Sequence, residues 1–167
     1  STGSQTNPRT CSAKVTFASN PIMRRSPYAG MLFNGAGRPL PVNGVSSTLP
    51  ASMGGNKTPI VDDAEIFERI PSFVEAYHTD LMRGEPSRRG KAPGRLRRLT
   101  VDECLAIQTF PKDYFLFGKR SAQYRQIGNA VPCKLAEVVG NVAKVAIEMI
   151  FAEEAAQMWD RTAIAAE

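Results

Sequence analysis

Three cysteines and one histidine are the residues of this 167-residue chain best suited to chemistry near neutral pH, and their spacing limits what that chemistry can be. Cys11, Cys104 and Cys133 lie far apart, and no second cysteine or histidine falls at a metal-ligand interval from any of them. Neither a zinc site nor a disulfide framework follows. Cys133 comes directly after Pro132, among the first residues of an expected helix, where a thiol pKa can be lowered; that makes it at most a reactive thiol. His78 stands alone in a helical stretch and reads as structural. No pair of carboxylates stands out at a fixed spacing suited to acid–base work, so no residue is assigned a catalytic role.

The charges point instead to a binding surface. The net charge is +5, yet residues 1–61 contain no Asp or Glu against Arg9, Lys14, Arg24, Arg25, Arg38 and Lys57. A second basic block comprises Arg83, Arg88, Arg89, Lys91, Arg95, Arg97 and Arg98, opposed only by Glu85. Between the blocks lie Asp62, Asp63, Glu65, Glu68, Glu75 and Asp80. Such segregation fits a polyanion-binding surface whose acidic parts face elsewhere, since neutralising phosphates supplies most non-specific affinity for DNA; a solvated basic face without a ligand fits the charges equally well. Glycine-rich loops would serve the first reading, because a backbone without Cβ atoms can approach bases and phosphates closely. Asn34, Arg38, Ser52, Asn56 and Lys57 are the side chains placed to contact a duplex.

Elements to position these residues can be read from local pattern. With 43% hydrophobic residues the chain can build one ordinary domain or two small ones. Residues 1–12 read as a flexible start. From 13 to 61, short apolar pieces alternate with Gly, Pro and Asn. Val15-Thr16-Phe17, Met31-Leu32-Phe33, Ser47-Thr48-Leu49 and Ile60-Val61 are strand candidates; Asn34-Gly35, Asn43-Gly44 and Gly54-Gly55-Asn56 are turns. Residues 62–84 read as a helical pair. Asp62 or Asp63 caps the first helix, which carries Ile66, Phe67 and Ile70 and stops at Pro71. Ser72 and Glu75 form a capping box for the second, with Phe73, Tyr77 and Leu81 on one face and Gly84 at its end. Residues 85–96 form a basic linker whose arginines either bind phosphate or keep it soluble.

The third region, 97–157, opens with Thr100 and Glu103 as a capping box, flanked by Leu99 and Cys104 as a hydrophobic staple. This predicts a helix from about Val101 to Gln108, stopped by Pro111. Tyr114, Phe115 and Phe117 are expected in the core. Gly128-Asn129 reads as a turn of positive φ before a helix opening at Pro132 and running to about Gln157. That helix carries two apolar rows, one of Leu135, Val138, Val142, Val145 and Met149, the other of Val139, Ala143, Ala146 and Ile150. It therefore expects partners on two sides. The chain leans acidic after Met149, and a tail, 158–167, follows the helix. No stretch approaches the roughly 18 consecutive apolar residues of a membrane span, and the polar start lacks a signal peptide's apolar core, so the expected location is cytoplasmic.

Two of these segments also resemble a known family. Arg98-Leu99-Thr100, Glu103 and Gln108-Thr109-Phe110-Pro111 resemble the ninth motif of DNA cytosine-5 methyltransferases. Gln123-Tyr124-Arg125-Gln126-Ile127-Gly128-Asn129-Ala130-Val131-Pro132 resembles their tenth. The resemblance covers roughly residues 20–150 and implies the carboxy-terminal portion of such an enzyme. The implied fold is α+β: a small, irregular, β-rich target recognition domain with an inserted helical pair, then a long helix that would pack on a missing α/β methyltransferase domain.

In this resemblance Thr48-Leu49 matches the family's recurrent Thr-aliphatic pair. Residues 34–38, with Gly35 and Gly37, look like the first recognition loop, and residues 51–58, with Gly54 and Gly55, like the second. Asn129 and Ala130 match positions bordering the S-adenosylmethionine pocket. The family adds a cysteine thiolate to a cytosine flipped out of duplex DNA. Its Pro-Cys-Gln and Glu-Asn-Val contexts are absent here, Cys133 being followed by Lys134, and so is the glycine-rich strand-to-helix turn that takes the cofactor. The resemblance thus implies a DNA-binding part whose partners are double-stranded DNA and a catalytic portion or subunit; the apolar row of the last helix adds the expectation of self-association when that partner is lacking. A DNA-binding regulator descended from a methyltransferase is the alternative.

Overall fold

The computed structural model describes residue 11 and residues 13–164, with side chains through residue 154. Apart from Cys11, the expected flexible start lies outside these residues, as do the last three residues of the expected tail. The chain divides into two units, Ser1–Ala130 and Val131–Glu167. The first holds strands β1 (Phe17–Ile22), β2 (Met31–Phe33), β3 (Ile60–Asp62) and β4 (Leu96–Arg98), with helices α1 (Asp63–Glu68), α2 (Phe73–Met82), α3 (Val101–Ile107) and α4 (Arg120–Asn129). The second is built on one helix, α5 (Cys133–Ile164). Small antiparallel sheets, separate helices and a long final helix make this an α+β chain, as expected.

Two antiparallel ribbons organise the first unit. In one, β1 pairs with β2 through Phe17 opposite Phe33; in the other, β3 pairs with β4 with Ile60 opposite Arg98 and Asp62 opposite Leu96. Successive side chains on a strand point to opposite faces, so β3 serves two cores at once. Ile60 joins Phe17, Leu32, Phe33, Val74, Tyr77 and Leu96 in one cluster, while Val61 joins Leu40, Leu49, Leu99, Val101, Cys104, Tyr124 and Ile127 in the other. The Phe17 and Tyr77 rings meet edge to face at 4.9 Å. Such packing adds about 1 kcal/mol to the area buried.

Caps settle where the helices begin. Thr100 Oγ1 accepts from the Glu103 amide at 3.1 Å and Glu103 Oε2 accepts from the Thr100 amide at 2.7 Å, completing the predicted box. Leu99 and Cys104 are both buried beside it. The second predicted box does not form: Ser72 makes no side-chain cap bond, and Glu75 accepts from the Tyr28 hydroxyl at 3.0 Å. Asp62 takes over that task as well as its own. Its two carboxylate oxygens accept from the Glu65 amide in α1 and, at 3.0 Å, from the Phe73 amide that opens α2. One buried carboxylate thereby starts both helices. Helix α1 stops at Glu68, with Arg69 at φ 55°, before Pro71 is reached, and Gly84 closes α2 at φ 89°.

Several local expectations are corrected. Residues 47–49 form no strand, whereas Leu96–Arg98, placed partly in a linker, pairs with β3. Helix α4 occupies a stretch with no helical expectation and runs through Gly128-Asn129, neither of which has positive φ. Gly128 is needed for space: a Cβ there would lie 2.5 Å from the Pro50 carbonyl oxygen and 2.6 Å from the Ala51 Cα. Tyr114, Phe115 and Phe117 are exposed rather than buried, and Leu116 among them enters the core instead. Helix α5 continues beyond 157 to Ile164. Its row of Leu135, Val138, Val142, Val145 and Met149 is exposed, as are Val139 and Ile150 of the second. A lone helix has nothing in its own unit to cover them.

Candidate nucleic-acid interface

Arg98 is the hub of the candidate site. It closes β4, is 2% exposed, and donates from one terminal nitrogen to the Thr58 carbonyl at 2.6 Å and from the other to the Asn34 carbonyl at 3.1 Å. Burial holds its pKa below the ordinary arginine value. One planar group with several fixed donors thus ties two loops to one strand, which a single ammonium could not do with the same geometry.

The loops 34–38 and 51–58 are also joined directly. Gly37 donates its amide to the Asn56 carbonyl at 3.0 Å. A Cβ at Gly35 would overlap Asn56, and one at Gly37 would overlap the Thr58 carbonyl and the Arg98 guanidinium. Within 51–58, Thr58 Oγ1 accepts from the Gly54 amide at 2.9 Å, and the Thr58 amide donates to the Gly55 carbonyl. Cys11 Sγ lies 3.7 Å from both the Gly55 carbonyl and Thr58 Oγ1.

Between the joined loops opens a cleft of about 270 Å³, lined by Gly37, Arg38, Thr48 and Lys57 together with Pro50 and Pro59. Two exposed cations and no carboxylate line it. A cleft of one sign with apolar walls concentrates anions. Four residues singled out in the sequence therefore come together. The others lie differently: Asn34 uses its amide nitrogen on Thr16 Oγ1 and the Phe17 carbonyl, Leu49 is in the core, and Ser52 and Asn56 are exposed outside the cleft lining.

The second basic block is largely committed within the chain. Arg95 pairs with Asp62 at 2.6 Å. Arg97 reaches Asp63 at 2.8 Å and clasps both oxygens of Glu103, which raises its pKa. Burial works to raise the Glu103 pKa, but the Arg97 guanidinium and the Thr100 amide outweigh it and hold the carboxyl below its usual range. Arg88 pairs with Asp80 at 3.2 Å and lies over the Phe73 and Tyr77 rings. The acidic helical pair is therefore the counterion of the basic linker, a role that the sequence segregation of charge concealed.

A third group fixes the far end of the unit. Gln108 Nε2 donates to the Ile127 and Ala130 carbonyls at 3.2 and 3.3 Å, and the Tyr124 hydroxyl donates to the Leu99 carbonyl at 2.6 Å. These bonds lock α3 to α4, the two segments singled out by motif. Asn129 is exposed at the end of α4, and Ala130 is its C-cap. Burial pushes the Cys104 thiol up to about 12, which makes it inert. His78 Nε2 lies 2.8 Å from the Arg24 carbonyl, a structural use. Among the described residues, no group of His, Cys, Asp and Glu could hold a metal ion, and no helix is long and apolar enough to cross a membrane.

Comparison with known proteins matches this frame. The chain is 46% identical over 55 residues to the type II methyltransferase M.AplI of Arthrospira platensis, a segment covering 33% of this chain and 16% of that protein. It is 51% identical over 53 residues to M.NgoMIV of Neisseria gonorrhoeae, covering 32% and 17%. A segment of 56 residues is 43% identical to DNA (cytosine-5)-methyltransferase 1B of Oryza sativa, covering 34% and 4%. The matched segments thus span less than a fifth of these relatives' lengths. No solved structure matches significantly. The family model for C-5 cytosine-specific DNA methylase matches residues 17–144, and with most of its length so covered, this chain belongs to the C-5 cytosine-specific DNA methylase family.

Proposed function

We propose that this chain is the target-recognition part of a cytosine-5 DNA methyltransferase, and that it acts on duplex DNA together with a catalytic portion carried elsewhere. The observation that carries this reading is the acid-free cleft in which Gly37, Arg38 and Lys57, on loops bonded to Arg98, meet Thr48. Base edges are read by side chains held at fixed positions, and phosphates are held by cations and backbone amides. A preorganised pair of loops offers both.

The chemistry would come from the partner. Neither a Pro-Cys-Gln nor a Glu-Asn-Val context occurs in the chain. S-adenosylmethionine is the methyl donor implied by the family. Both Ala130 backbone groups are already engaged, its amide on Ile127 and its carbonyl with Gln108, while Asn129 is exposed at the end of α4. These two residues do not make a pocket for the cofactor by themselves. They suit one edge of a pocket completed by the catalytic portion, and the exposed apolar rows of α5 suit a helix that docks on it.

Mixing the chain with a separately prepared portion bearing the Pro-Cys-Gln and cofactor motifs tests this reading. Methyl transfer to cytosine is expected only in the mixture, accompanied by loss of any self-association seen for the chain alone by light scattering. A chain that binds duplex DNA yet neither binds the catalytic portion nor restores its activity would be a DNA-binding regulator, and the reading as an enzyme part would fall.

A further inference from the structure

Two phenylalanines that ought to be core are held out in water by a rigid support. Phe115 and Phe117 are 75% and 78% exposed, while Leu116 between them is 4% exposed and anchors the loop. The exposure is not slackness. Gln123 Nε2 donates to the Gly118 carbonyl at 3.1 Å and approaches the Leu116 carbonyl at 3.5 Å; Gln126 Nε2 donates to the Phe117 carbonyl at 2.7 Å. Three consecutive carbonyls are thus held by two side chains of α4, with Gly118 at φ 86° making the corner into that helix. The entropy of ordering the loop has been met in advance, which lowers the cost of binding on its side.

The surroundings distinguish among partners. Lys112, Lys119 and Arg125 are exposed in this loop and along α4, and Asp113 is the one carboxylate within residues 112–129. An apolar protein surface would find no use for that excess of cations. Exposed rings with interspersed cations suit an anionic chain that offers flat π faces. Single-stranded nucleic acid has both: bases stack on aromatic side chains whatever their sequence, and phosphates seek the lysines. Paired bases inside a duplex present no such faces.

We propose that the 112–119 loop is a stacking platform for unpaired bases of DNA, separate from the cleft at Arg38 and Lys57, with Phe115 and Phe117 taking the bases and Lys112 and Lys119 the adjoining phosphates. It rests on the nucleic-acid reading above, and goes beyond it in assigning a second surface and a different form of DNA. Both rings project from the loop into solvent, so truncating them leaves the packing of Leu116 and the glutamine bonds in place.

The full chain is titrated with a single-stranded oligonucleotide and with the blunt duplex of the same sequence, at two salt concentrations, as wild type, F115A/F117A and F115W/F117W. The Ala pair is expected to lose at least about tenfold in affinity for the single strand while changing duplex affinity less than threefold and leaving the salt dependence unaltered. The Trp pair is expected to keep single-strand affinity and to show fluorescence quenching on binding. Equal losses on both forms of DNA, or no loss for the Ala pair, overturns the platform. So does an Ala pair that keeps single-strand affinity but no longer associates with the catalytic portion, which would assign the loop to a protein partner. Wild type that binds duplex but no single strand removes this inference alone; wild type that binds neither removes the nucleic-acid reading with it.

Discussion

The Arg98 guanidinium meets the Thr58 carbonyl oxygen at 2.6 Å, and through this bond strand β4 holds the loop that carries Lys57. The same side chain reaches Asn34 in the neighbouring loop, so a single arginine sets the separation of two segments that lie more than twenty residues apart in the chain.

Replacing Arg98 by methionine removes both bonds and leaves the Thr58 carbonyl buried beside an apolar group. A loss of about 3 kcal/mol is expected, as for deletion of a charged donor from a buried acceptor. Arg98→Lys should recover less than half of it, because one ammonium cannot span two carbonyls in the same fork. Urea unfolding followed by circular dichroism checks both, and full recovery by lysine would show that charge rather than geometry is what the loops need.

Two glycine substitutions inside helices should have opposite signs. Alanine in place of a helical glycine gains about 1 kcal/mol of helix propensity. At Gly140 in α5 a Cβ meets nothing within 4 Å, so Gly140→Ala should raise helicity. At Gly128 in α4 the new Cβ would strike the backbone at Pro50 and Ala51, and neither can yield without moving the loop. Gly128→Ala should therefore lower the melting temperature despite its better propensity. Gains at both sites would mean that the close approach of α4 to residues 50–51 is not maintained in solution.

Acid should loosen the junction of β4 and α3. The Glu103 carboxyl is held below its usual range by Arg97 and the Thr100 amide, so it binds a proton more readily in the unfolded chain than in the folded one. Its contribution is fully present above the unfolded value, near 4.3, and is lost as pH falls through the lower folded value. Glu103→Gln should flatten the stability profile below about pH 4.5, and Thr100→Ala should cost about 1 kcal/mol at neutral pH. Melting curves between pH 3 and 7 check the slope; an unchanged profile for the glutamine variant would place the acid sensitivity elsewhere.

Basic residues of the two regions should separate by function. Arg38→Ala and Lys57→Ala remove cations from the cleft and should weaken duplex binding and shallow its salt dependence, by about one unit of slope for each phosphate no longer neutralised. Arg88→Ala breaks a pair with Asp80 and a stack on Phe73 and Tyr77, so its main effect should be on thermal stability, with the salt slope intact. Titrations at several salt concentrations distinguish these. Identical slopes for all three variants would dissociate the cleft from DNA.

Features that a few neighbouring residues can decide were readable in the sequence. The Thr100–Glu103 box, the turns at Gly35, Gly44 and Gly54 and the end of α2 at Gly84 depend on atoms within a few positions of each other, and the strands at 31–33 and 60–61 show in their short apolar runs although their pairing partners do not. The two segments around Thr100 and Tyr124 carried enough identity to indicate the family as well. Tertiary structure alone decided the rest, because each remaining feature is a competition between groups distant in sequence. Ser72 and Glu75 have the pattern of a cap, but Asp62, ten residues away, supplies the bond to Phe73. Gly128-Asn129 has the pattern of a turn, but the glycine serves to admit residues 50–51. Arg88, Arg95 and Arg97 look like a phosphate-binding row until the folded chain brings Asp80, Asp62, Asp63 and Glu103 against them. Arg38 and Lys57, singled out for the loops, stay exposed in a cleft whose lining holds no carboxylate.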